Sequence, residues 1–120
     1  MPKILLVDDD VGIQETLQLF LENEGYTVAL ASNGKMALEL LRSEPLPELI
    51  LLDLMMPVMN GWEFLEIRSH DERLLRVPVI LMTASAVTEA MKAANDVLSK
   101  PFRLERIANS IRANLAGSGI

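Results

Sequence analysis

Two stretches of this chain, Leu49–Leu54 (LILLDL) and Val77–Ala84 (VPVILMTA), are apolar runs without polar alternation. A strand with one face in water alternates apolar and polar residues, whereas a strand buried on both faces does not. Burying both faces of a sheet requires helices on both sides, and the chain supplies them. Ile13, Leu17, Phe20 and Leu21 recur at helical spacing between Val11 and Glu24, and Gly25 follows where a helix-ending glycine belongs. Ala37, Leu40 and Leu41 mark a second helix after Asn33-Gly34, Trp62–Ser69 a third, and Val87–Ala94 a short helical stretch. Leu104, Ile107, Ile111 and Leu115 line one face of a last helix. Ile4–Val7, Tyr26–Ala31 and the segment DVLSK (Asp96–Lys100) read as further strands, and EPLPE (Glu44–Glu48) as a breaker-rich loop.

Five strand–helix units in 120 residues predict one α/β domain. The expected form is a doubly wound five-stranded parallel sheet, flavodoxin-like, in the order 2-1-3-4-5 with right-handed crossovers. The domain is assigned to residues 1–116 and a flexible C-terminal tail to residues 117–120. In such a sheet ligands bind outside the strand C-terminal ends, at the switch point between strands 1 and 3. The polar residues gather there. Asp8, Asp9 and Asp10 end strand 1, Asp53 ends strand 3, Thr83 ends strand 4 and Lys100 ends strand 5.

Composition narrows the chemistry. With no cysteine and a single histidine, His70, the chain has no thiolate metal site, thiol nucleophile or multi-histidine centre. Clustered carboxylates without those ligands describe a hard-cation site, and Mg²⁺ is the natural candidate, shared with a phosphate. A lysine opposite suits that phosphate, and an aspartate can itself attack phosphorus to give an aspartyl phosphate. A net charge of −6 argues against the domain gripping nucleic acid directly. No apolar run is long enough to span a membrane or to form a signal-peptide core, so a cytoplasmic location is expected.

The motifs LLVDDD, LILLDLMMPVMNG, VILMTA and LSKPF, in this order at successive strand ends, resemble the receiver (CheY-like) domain of two-component response regulators, from Pro2 to about Leu115. The resemblance implies that Asp53 is the phosphoacceptor, with Asp9 a direct Mg²⁺ ligand, Asp8 acting through water and the main-chain carbonyl of Met55 completing the shell. It also implies that Thr83 bonds one phosphoryl oxygen and that Lys100, held by a cis bond to Pro101, pairs with another. The implied donor is a histidine kinase or a histidine phosphotransfer protein, and the implied activity is self-catalysed phosphotransfer and autodephosphorylation. Asp10 reads as a helix cap, Met55, Met56 and Met59 as gap fillers, Trp62 as outer packing and His70 as a solvated helix end.

Two features depart from the family pattern. Val97 stands three positions before Lys100, where an aromatic residue is usual, and the segment from Thr83 to Lys100 is short by roughly a helical turn and a half. A shortened fourth helix, a mobile surface there and a monomer are expected. The downstream partner is left open. Alternatives are a Mg²⁺-dependent phosphohydrolase with an aspartate nucleophile, a flavodoxin-like binding module, or a receiver piece of a longer regulator. Met55 rather than an aspartate stands two residues after Asp53, which weighs against the first, and the lack of a glycine-rich loop after strand 1 weighs against the second.

Overall fold

The computed structural model describes residues 2–43, 45–54, 56, 58–83, 94–99 and 103–118. Its strands are β1 (Lys3–Val7), β2 (Thr27–Ala31), β3 (Leu49–Asp53), β4 (Val79–Thr83) and β5 (Asp96–Ser99). They form one sheet in the order β2-β1-β3-β4-β5, with every neighbouring pair parallel. The helices are α1 (Val11–Asn23), α2 (Gly34–Ser43), α3 (Gly61–Ser69), α4 (Glu72–Leu75) and α5 (Leu104–Ser118).

Side chains alternate between the two faces along each strand, and the sheet therefore divides the interior into two cores. Leu5, Val7, Ile50, Leu52, Val79 and Leu81 meet Ala37, Leu38 and Leu41 of α2 and Phe64 and Leu65 of α3. Ile4, Leu6, Leu49, Leu51, Ile80, Met82 and Leu98 meet Leu17 and Leu21 of α1 and Ile107 and Ile111 of α5. Each fully buried aliphatic or phenylalanine side chain is worth about 1.5–3 kcal/mol. Unbroken apolarity in β3 and β4 is thus the signature of serving two cores at once.

The helix ends follow local chemistry. Asp10 caps α1 by accepting the Ile13 N–H at 3.1 Å. Gly25, at φ +96°, makes the left-handed turn after the Glu24 cap. Asn60 and Glu63 form a reciprocal capping box at the start of α3, and exposed His70 ends that helix. The short α4 has no counterpart in the periodicity reading, because a single turn is too brief to repeat. Its local signal was Asp71, whose carboxylate accepts the N–H groups of Arg73 and Leu74, followed by buried Leu74.

Arg68 of α3 is buried, and burial pushes its guanidinium pKa below the ordinary value. Its Nη2 donates to the Val77 carbonyl at 3.0 Å and to Asn95 Oδ1 at 3.1 Å. Asn95 Oδ1 also accepts the Val79 N–H, while its own N–H donates to the Val79 carbonyl. The start of β5 is thereby tied to both β4 and α3.

α5 continues to Ser118, two residues into the stretch assigned to a tail, so no change of secondary structure marks a boundary at residue 116. The expected short helix at Val87–Ala94 falls, apart from Ala94, outside the described residues, and so do Ala84, Met55, Lys100 and Pro101. Among the described residues no helix is long and apolar enough to cross a membrane.

Candidate metal centre

β1 and β3 are central neighbours, and both run out at the same sheet edge. Val7 pairs with Leu52 in Cα register, so Asp8 and Asp53 follow side by side. Asp9 comes next, where the chain turns toward α1. One carboxylate oxygen from each of Asp8, Asp9 and Asp53 can be chosen so that all three lie within 4.8 Å of one another. This is the one such acidic cluster among the described residues. Asp8 is 0 % exposed and Asp53 5 %, whereas Asp9 is open to solvent.

Three carboxylates this close repel one another, and a cation between them relieves the repulsion. The all-oxygen donor set suits a hard divalent ion, and the exposed Asp9 leaves a side on which water or phosphate oxygens can complete the shell. The residues present therefore fit Mg²⁺.

The cluster is held from several directions. Asp8 Oδ1 accepts the Asp10 N–H at 2.9 Å, and the Asp8 N–H donates to the Ala31 carbonyl at 3.1 Å. Asp10 faces its helix rather than the cluster, as its reading as a cap requires. Asp53 is registered with Met82 of β4, and the Leu54 N–H donates to the Met82 carbonyl at 3.1 Å. Thr83, 1 % exposed, is the next residue on β4 and the last of that strand. It is registered with Ser99, which immediately precedes Lys100 in the sequence.

The loop after β3 carries features that sequence reading did not single out. Gly61 begins α3 against the exit of β3, and its N–H donates to the Leu54 carbonyl at 2.8 Å. A Cβ there would lie 2.9 Å from Leu54 Cα and 3.0 Å from the Asp53 carbonyl oxygen, so only glycine permits this approach. Val58 adopts φ +69°, a left-handed conformation that a β-branched residue rarely takes, and it is 73 % exposed. Neither feature has a periodic signal, although a glycine opening a helix just after a site loop was a usable clue. Met56 is buried in the α2–α3 core and Met59 packs against it, in keeping with their reading as fillers, and partly buried Trp62 packs there as outer packing.

The known proteins that this chain resembles point the same way. Residues 4–112 match the sequence profile of the response regulator receiver domain. The DNA-binding response regulator MtrA of Mycolicibacterium paratuberculosis is 36% identical over 118 residues, which cover 94% of this chain and 51% of that protein. The response regulator MprA of Mycolicibacterium vanbaalenii is 39% identical over 119 residues, 94% of this chain and 50% of that protein. The chain spans about half the length of these curated relatives. Among solved structures, the receiver domain of a signal transduction histidine kinase from Syntrophus aciditrophicus has a TM-score of 0.89 at 29% identity, covering 98% of this chain and 92% of that one. The receiver domain of a sensor histidine kinase from Pseudomonas aeruginosa, solved with a magnesium ion coordinated in its active site cleft, has a TM-score of 0.87 at 28% identity, covering 96% and 98%. Sheet order, the acidic cluster at the β1/β3 switch point and the profile match agree: the chain belongs to the response regulator receiver domain family.

Proposed function

We propose that this receiver domain accepts a phosphoryl group on Asp53 from a phosphohistidine of a histidine kinase or histidine phosphotransfer protein. The supporting observation is the convergence of Asp8, Asp9 and Asp53 within 4.8 Å where β1 and β3 end. A carboxylate oxygen of Asp53 attacks phosphorus, the P–N bond breaks, and the electron pair leaves with the imidazole nitrogen. Asp9 and Asp53 would hold Mg²⁺, Asp8 would act through water, and the Met55 main-chain carbonyl would be a further oxygen donor. When bound, Mg²⁺ neutralises the charge shared by carboxylates and phosphoryl oxygens. The Thr83 hydroxyl donates to one phosphoryl oxygen and the Lys100 ammonium pairs with another.

The phosphorylated domain then presents an altered surface to a downstream protein, acting as a monomer in the cytoplasm. The net charge of −6 supports a role without direct nucleic-acid contact by this domain. Relatives named as DNA-binding regulators are about twice this length. A phosphohydrolase is not favoured, since Met55 occupies the place of a second acid.

Intact-mass spectrometry after incubation with acetyl phosphate and Mg²⁺ tests the reading. One phosphoryl adduct per chain is expected, lost without Mg²⁺ and in Asp53→Asn. The same labile adduct persisting in Asp53→Asn would overturn the assignment.

A further inference from the structure

Asp8 and Asp9 sit on a very short bridge between β1 and α1, and one side chain from α1 reaches back to hold it. The last registered pair of β1 and β2 is Val7 with Ala31, after which the Asp8 N–H still donates to the Ala31 carbonyl at 3.1 Å. Gln14 lies one turn into α1, half-buried, and its Nε2 donates to the Asp8 carbonyl at 2.5 Å. The same Nε2 approaches the Ala31 carbonyl at 3.4 Å. A primary amide has two N–H groups, so one side chain can serve both oxygens. The backbone at Asp8 is thus tied to the exit of β2 and to the first turn of α1 together.

That restraint acts where the carboxylates oppose it. Without a cation, Asp8, Asp9 and Asp53 repel, and the bridge is the part of the cluster whose backbone lies outside the strand ladders. Residues that hold the ligands of a metal in place commonly affect metal affinity without touching the ion. We propose that Gln14 is a positioning residue for the metal centre, whose side-chain amide bridges the Asp8 and Ala31 carbonyls and keeps Asp8 and Asp9 close to Asp53. This rests on the metal-binding reading above. The chemistry demands a donor at this position. A carboxylate would face two carbonyl oxygens and be repelled, while an arginine Nε–H has the same reach from the helix.

The test uses the whole chain with Gln14→Ala, Gln14→Glu and Gln14→Arg. Amide hydrogen exchange of the metal-free protein is the first readout. Gln14→Ala and Gln14→Glu should speed exchange at Asp8 and Asp10 about tenfold while β3 and β4 keep their protection, and Gln14→Arg should restore the parent rates. Titration with Mg²⁺ alone, followed by amide NMR shifts, should show affinity falling about tenfold in Gln14→Ala. Unchanged exchange at Asp8 and Asp10, uniform acceleration through the whole domain, or unchanged Mg²⁺ affinity in Gln14→Ala would each overturn the proposal. A parent protein that takes no Mg²⁺ would instead overturn the metal-binding reading, and the exchange rates would still decide whether Gln14 holds the bridge.

Discussion

Replacing Gly61 by alanine sets two effects of opposite sign against each other. In an exposed helix Ala is better than Gly by about 1 kcal/mol, and less at a first helical position, so open space would make the change neutral or stabilising. The space is not open. The new Cβ would stand 2.9 Å from Leu54 Cα and 3.0 Å from the Asp53 carbonyl oxygen. Carbon atoms settle at about 3.5–4.0 Å, so α3 must retreat from β3 by about half an ångström. Both obstacles are backbone atoms, which cannot rotate aside as a side chain would. The retreat also stretches the 2.8 Å bond from the Gly61 N–H to the Leu54 carbonyl. Overpacking of this kind costs about 1–3 kcal/mol, which outweighs the helix preference. Urea denaturation should show a lower midpoint with an unchanged slope, a net loss of about 1–2 kcal/mol. Because the strained atoms belong to Asp53 and its neighbour, labelling by acetyl phosphate should slow by about tenfold as well. A midpoint equal to or above that of the parent, with an unchanged labelling rate, would refute the close-approach reasoning.

Other substitutions probe the surroundings of the same site. Val58→Gly should stabilise the domain by up to about 1 kcal/mol, because relief of left-handed strain exceeds the added freedom of the unfolded chain; thermal denaturation showing a loss would count against strain at Val58. Asp10→Ala should cost about 1 kcal/mol through the lost cap of α1 and leave Mg²⁺ affinity as it was, measured by calorimetric titration. In Asp9→Asn the metal-free protein should melt at a higher temperature than the parent, since one repelling charge is gone, while the Mg²⁺-induced rise in melting temperature should shrink. A parent-sized rise in that variant would remove Asp9 from the ligand set.

The sheet and its order were legible because the strongest pattern in the chain, unbroken apolarity at Leu49–Leu54 and Val77–Ala84, has one physical meaning in a chain of alternating strands and helices. Strand ends were less sharp. β4 begins at Val79, two residues after its apolar run starts, because Val77 packs into the α2–α3 core ahead of the strand rather than within it. Asp8, Asp9 and Asp53 were legible as a group because parallel strands end on one sheet edge and the order 2-1-3-4-5 makes β1 and β3 neighbours at its switch point. Gln14, Gly61 and Val58 were not. A glutamine half-way round an amphipathic helix looks like any solvated position, and its role depends on the distance to two carbonyls that only the turn of the bridge determines. The positive φ of Val58 runs against the preference of its residue type and cannot be inferred from that type.

The division of the interior by the sheet also bears on how such a domain diverges. Val7, Leu52 and Leu81 belong to one core and Leu6, Leu51 and Met82 to the other, so adjacent residues of one strand answer to different packing partners. A volume change on the α1–α5 side can be accommodated among Leu17, Leu21, Ile107 and Ile111 without repacking Phe64 or Leu38 across the sheet. Substitutions that resize α1 or α5 contacts should therefore leave the α2–α3 packing largely as it is. By the same alternation Asp8 and Asp53 are in phase with Leu6 and Leu51, so the acidic cluster shares a sheet face with the α1–α5 core.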